Sequence, residues 1–179
     1  MAKSSAARSE QPRLRALESF EVLDETALPG FDCLVQVASA LCGTPIALVS
    51  LVDHDRLRFM ARAGLDLLQV PSTGSLCNYA ILTPETMLEV RDASSDARFA
   101  TSPLVTGPPG IRFYAGVPLV TSDKEAIGTL CVIDRQPRVL TESQRVGLAS
   151  LAQVAVDMLE SRRRELALRS ALGQQKRGS

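Results

Sequence analysis

The chain has 179 residues, 45% of them hydrophobic, and its 20 Lys and Arg are matched by 20 Asp and Glu. That length supports one domain with a proper core and is too short for two of ordinary size. With no net charge there is no overall field to attract nucleic acid or an anionic membrane, and 4% aromatic residues leave little for base stacking, so neither is expected as a partner.

Met1 to Pro12 is small, polar and basic without a secretory apolar stretch, and no apolar run approaches membrane-spanning length, so the expected location is cytoplasmic. There Cys33, Cys42, Cys77 and Cys131 are expected as reduced thiols packing like small apolar residues. Residues 1–10, rich in Ala, Ser and charge, read as a disordered tail, residues 11–160 as the folded domain, and residues 161–179 as the end of a long helix with a polar tail.

From Pro12, the recurrence of Leu14, Leu17, Phe20 and Val22–Leu23 predicts an amphipathic helix ending at Asp24. Phe31, Leu34, Val35, Ala38 and Leu41–Cys42 repeat the helical period, and Gly43 supplies a left-handed stop. Ile46–Val52 is β-branched without a helical gap and predicts a strand buried on both faces. Asp53-His54-Asp55 is its turn, and the alternation from Arg56 to Gly64 predicts an antiparallel return. Ser75 is placed to cap a short helix over Leu76–Leu82, stopped by Thr83-Pro84, and Met87–Val90 reads as a third strand. The Asp, Ser and Pro of Asp92–Gly110 predict a structured loop. Phe113–Val120 and Ala126–Asp134 form a hairpin around Ser122-Asp123-Lys124, and Thr141 with Ser143 opens the last long helix. Hairpin connections with helices at both ends imply an α+β fold with an antiparallel sheet covered on one face.

The residues offer little catalytic machinery. The single histidine, His54, lies in a strand turn. Cys33 and Cys42, nine apart on one helix, fall on opposite faces, and the common zinc, P-loop and dinucleotide motifs are absent. No catalytic residue, metal ligand or required cofactor is therefore assigned. Polar groups of several kinds do converge in Cys77, Asn78, Tyr79, Asp92, Arg112 and Tyr114, which together suit a small ligand pocket beneath the short helix and the loop. A structural alternative pairs Arg98 or Arg112 with Asp92 to hold the loop. In the last helix, Leu148, Leu151, Ala155 and Met158 form one apolar stripe and Ala152, Val156, Leu159 and Leu166 a second. They make either one broad buried face or, in a parallel homodimer, one face for the sheet and one for a partner helix.

A long ordered series of segments carries a family resemblance: Pro45–Asp53, Ala63-Gly64-Leu65, Ser75-Leu76-Cys77, Asp96-Ala97-Arg98-Phe99, Ile111–Leu119 and Gly128–Asp134. With them the chain resembles the GAF domain family, sensor modules at the input end of bacterial histidine kinases and diguanylate cyclases. The resemblance implies a central sheet of five to six strands, terminal helices on one face and a capped pocket on the other. It also implies a non-catalytic role: binding an unidentified small molecule and relaying its state to a kinase or cyclase output domain, downstream or in trans. Many relatives carry Cys-x-His where this chain has Cys77-Asn78-Tyr79. A ligand-free dimerisation and relay module, a thiol-dependent free methionine sulfoxide reductase acting through Cys77, and a bilin photoreceptor stay open as alternatives.

Overall fold

The computed structural model describes residues 3–23 and 28–175. In chain order the elements are α1 (Lys3–Glu18), α2 (Phe31–Cys42), β1 (Ile46–Val52), β2 (Arg56–Ala63), β3 (Gln69–Pro71), α3 (Leu76–Ala80), β4 (Leu88–Val90), α4 (Pro103–Thr106), β5 (Phe113–Val120), β6 (Ala126–Asp134) and α5 (Glu142–Gln175). The six strands form one antiparallel sheet in the order β3-β2-β1-β6-β5-β4. This is the expected α+β architecture, with one strand more than the sequence reading found.

Burial follows from that order. β1 pairs on both edges, and all seven of its residues are buried, as its unbroken apolar run requires. Its side chains alternate: Ala47, Val49 and Leu51 join the core under α1, α2 and α5, while Ile46, Leu48 and Val52 join a second core under α3 and the loop after β4. On β6 the register with β5 slips by one residue, from Leu119 opposite Gly128 to Val120 opposite Ala126, so Ile127 is a bulge. Gly128 is required where it stands, because a Cβ there would lie 2.0 Å from the Ser50 carbonyl oxygen of β1.

The long helix α5 buries Leu148, Ala152, Ala155, Val156 and Leu159, with Leu151 and Met158 packed against the same core. Seven of the eight residues of the two stripes anticipated from the sequence therefore form one broad face, and the eighth, Leu166, is half-buried beyond it. Each fully buried leucine there contributes about 1.5–3 kcal/mol. Beyond that face the helix presents exposed Leu168 and Leu172.

Arginines join the helix to its surroundings. Arg162 donates to the carbonyls of Phe20 and Glu21 at 2.9 and 3.1 Å. Arg163 stacks on the Phe20 ring at 4.8 Å and donates to Ser122 Oγ at 2.8 Å, to Glu160 Oε2 at 2.7 Å and to the Asp123 carboxylate. At the other end of α5, Arg145 reaches the Glu89 carboxylate of β4 at 2.8 and 3.2 Å, and Glu89 also accepts from Leu140 N–H at 3.1 Å. Burial pushes the Glu89 carboxyl up, but Arg145 and the Leu140 amide outweigh it and leave the group below its ordinary value.

Several expectations are corrected. Residues 3–10, read as a disordered tail, belong to α1, so the helix runs through Pro12 instead of starting there. It stops at Glu18 because Phe20 and Val22 turn into the core; Asp24, its expected end, lies outside the described residues. Strand β3 and the single turn α4 occupy stretches whose lengths are too short for a periodic signal. The expected polar tail is helical to Gln175, and residues 176–179 lie outside the described residues.

Candidate functional site: a buried thiol under the lid helix

Below α3 the sheet presents a small polar cluster inside an apolar core. Ser75 caps α3, its Oγ accepting from Asn78 N–H at 3.1 Å, and this single turn points Cys77 down at the sheet. Ser50 Oγ of β1 and the Tyr114 hydroxyl of β5 each lie 3.3 Å from Cys77 Sγ, and Ser50 Oγ lies 2.9 Å from Thr129 Oγ1 of β6. Cys131, two residues along β6 from Thr129, belongs to the same buried core as Cys77. All five side chains are buried.

Strand register explains the convergence. Ser50 is the partner of Thr129, and Cys131 is the partner of Gly116 on β5. Gly116 has no side chain, and the Tyr114 ring lies across the space: a Cβ there would sit 2.2 Å from the phenol oxygen. The missing side chain thus lets the tyrosine hydroxyl reach the sulfur cluster.

The thiol electrostatics follow from these contacts. The Cys131 thiol, joined by the Ser50, Thr129 and Tyr114 hydroxyls, stabilises the Cys77 thiolate against the opposing effect of burial and holds Cys77 at about 6. Cys131, beside Cys77 and itself buried, is pushed well above its ordinary value. Burial likewise pushes the Tyr114 phenol up, and the neighbouring Cys77 adds to it.

Beside the cluster is a cavity of about 30 Å³ whose walls include Leu48, Phe59, Leu76, Ile111, Cys77 and Tyr114. That volume holds a water-sized molecule, against the several hundred Å³ of a metabolite pocket.

Of the six residues singled out from the sequence, the cavity gathers Cys77 and Tyr114. The other four do not line it. Asn78 is half-buried on the outer side of α3, and Tyr79 packs edge-on against Phe99 at 4.9 Å. Asp92 accepts from Ser94 N–H at 3.0 Å and Ser94 Oγ at 2.6 Å, a loop turn in which the Ser94 hydroxyl holds the carboxyl below its ordinary value. Arg112 donates to the carbonyls of Val105 and Ile111, both at 3.0 Å. Arg98 pairs with Asp96 at 2.7 Å, so the loop's ion pair is with a nearer carboxylate than the expected Asp92. Sequence reasoning passed over Ser50, Thr129 and Cys131 as site residues. The available signal was a lone hydroxyl in each of two otherwise apolar strands.

A GAF domain family model matches residues 30–157. The chain belongs to the GAF domain family. Over 138 residues it is 44% identical to a cyclic di-GMP phosphodiesterase of Pseudomonas aeruginosa, a match that takes in 77% of this chain and 23% of that protein. The chain thus spans less than a quarter of that curated relative, and GAF domains are typically regulatory. Among solved structures, the GAF domain of an Acinetobacter phosphoenolpyruvate-protein phosphotransferase superposes with a TM-score of 0.60 or better, at 0.63, with 21% identity over 85% of this chain and 93% of that one. A free methionine-R-sulfoxide reductase of Neisseria meningitidis, solved with its substrate, gives 0.59 with 24% identity over 92% and 96%. The blue-light-absorbing PixJ GAF domain of Thermosynechococcus elongatus gives 0.61 with 16% identity over 83% and 92%. These structural matches establish the GAF fold. Among the described residues no helix is long and apolar enough to cross a membrane, and no group of three or more His, Cys, Asp or Glu is placed to hold a metal ion.

Proposed function

We propose that this GAF domain is a regulatory input module of a cyclic di-GMP signalling protein, acting as a parallel homodimer that relays its state through α5. The observation that carries the reading is the helix: it is fixed to the domain as far as the Arg162 and Arg163 ties, and beyond them it carries Leu168 66% and Leu172 60% exposed. Those two leucines, one turn apart, would pack against their counterparts in a second copy. The 44% identity to a cyclic di-GMP phosphodiesterase supports that output class.

A small-molecule ligand is the accompanying reading, favoured by a capped cavity that carries a thiol and a phenol. At about 30 Å³ the cavity is smaller than a metabolite, so such a ligand would bind by displacing the lid residues of α3 and the loop. Native mass spectrometry of the chain at micromolar concentration tests both readings. A dimer that Leu168→Glu with Leu172→Glu converts to monomer is expected; a monomeric wild type would refute the relay, and a metabolite library without a single mass adduct would refute the ligand.

A further inference from the structure

The cavity beneath the lid is walled by hydrocarbon. Leu48 of β1, Leu57 and Phe59 of β2, Ile133 of β6 and Ile111 before β5 all line it, and among the described residues no Asp, Glu, Lys, Arg or His does. The polar atoms that border it are committed to near neighbours: Ser75 Oγ accepts from the Asn78 amide at 3.1 Å, and the Tyr114 hydroxyl donates to Cys77 Sγ at 3.3 Å. The nearby loop's guanidiniums are engaged outside the cavity, Arg112 with the Val105 and Ile111 carbonyls and Arg98 with the Asp96 carboxylate. A ligand bearing a carboxylate, a phosphate or an ammonium group would leave that charge buried without a partner. Water is little better served, since it needs two or more polar partners and apolar cavities stay dry.

The rim is the second observation. Leu67, on the loop between β2 and β3, lines the cavity and is nevertheless 45% exposed, so the cavity reaches solvent beside it. The next residue, Leu68, is 60% exposed, and its carbonyl accepts from Phe59 N–H at 3.0 Å, which fixes the loop to β2. Leu104 of α4 and Pro109, both half-buried, also line the cavity, so the rim is as apolar as the interior. Adjacent leucines left in water at the edge of an apolar hollow form a surface that an apolar occupant would cover.

We propose, resting on the ligand reading above, that this cavity takes an uncharged and predominantly hydrocarbon ligand, an aromatic ring or a short alkyl chain, and rejects ions and zwitterions of the same shape. The ligand enters at Leu67, displaces Leu104 and Pro109, and covers with its own surface what they uncover. Burial of hydrocarbon supplies the affinity, and the lack of any charged partner supplies the discrimination.

Methyl NMR of the chain labelled at Ile, Leu and Val tests this with toluene and benzoate, one ring without and with a charge. Toluene is expected to give saturable shifts at Leu48, Leu57, Ile111 and Ile133 and none at Val49 and Leu51, which belong to the core on the other face of the sheet. Benzoate is expected to bind at least about tenfold more weakly. Leu104→Trp, at the half-buried rim, should fill the opening and weaken toluene by at least about tenfold; if this variant does not fold, the comparison of the two probes decides alone. Benzoate binding at the same methyls as tightly as toluene overturns the proposed class and leaves the ligand reading standing. Wall methyls that neither probe moves overturn the proposal, while the metabolite library still judges the ligand reading. Toluene shifts spread equally over Val49 and Leu51, or undiminished in a folded Leu104→Trp, overturn it as well.

Discussion

Gly116→Ala isolates the device that places Tyr114 against the sulfur cluster. In an ordinary strand the change is favourable, because glycine weakens a strand interior by about 0.5–1 kcal/mol relative to alanine. Here the new Cβ would lie 2.2 Å from the phenol oxygen and 2.6 Å from the ring carbon that bears it, and the ring is only 1% exposed. Forcing a methyl into a filled core costs about 1–3 kcal/mol, and losing the Tyr114 contact with Cys77 adds about 0.5–1.5 kcal/mol. The net expectation is a loss of about 2 kcal/mol, which lowers Tm by about 4–8 °C for a domain of this size. Tyr114→Phe would not relieve the clash, since the ring carbons at 2.6 and 2.7 Å remain. Tyr114→Leu shortens the side chain, so in that background Gly116→Ala should be neutral or slightly stabilising. Urea titration of the wild type, both single variants and the double variant measures the coupling. Equal destabilisation by Gly116→Ala in both backgrounds would refute the steric account.

Gly128→Ala is expected to cost about 3 kcal/mol or more, because the Ser50 backbone it meets at 2.0 Å cannot rotate away; soluble yield and Tm report it. Glu89→Gln should flatten the acid limb of stability: the folded-state carboxyl titrates below its unfolded value, so its stabilisation is present at neutral pH and is lost as pH falls through the folded value. Urea midpoints between pH 7 and pH 3, roughly the carboxylate range, measure the difference. Arg163→Ala should lower stability by about 1–2 kcal/mol, and Arg163→Lys should recover only part of it, because an ammonium keeps the charge and loses the planar fork; thermal melts at low and high salt separate the two.

The fold was legible where a single period persisted. The apolar runs of β1, β5 and β6 and the helical spacing of α2 and α5 predicted those elements, and the ordered family segments supplied the architecture. The three-residue β3 and the four-residue α4 carry too few residues for periodicity to register. At the site, Cys77 and Tyr114 were legible, because both sit in segments that the family places around the pocket. Asn78, Asp92 and Arg112 looked equivalent by composition, yet they serve as a backbone donor to the cap of α3, a turn and a loop brace. Which side of a one-turn helix faces the sheet depends on its docking, and five residues do not reveal it. Ser50, Thr129 and Cys131 become neighbours of the thiol only through strand register, which sequence spacing does not specify. The Arg162-Arg163-Arg164 run suggested a solvated helix face, whereas Arg162 and Arg163 are half-buried ties to the turn after α1 and to the β5–β6 hairpin.

The Arg163 guanidinium holds three separate parts of the molecule in one grip: the tip of a hairpin, the ring at the end of the first helix and a carboxylate on its own helix. Turning α5 by a single residue would carry that side chain about 100° away and release the hairpin tip and the ring together, while Glu160 turns with it. The helix is therefore ratcheted: it stays seated or jumps to another setting, and a graded drift has no stable stopping place.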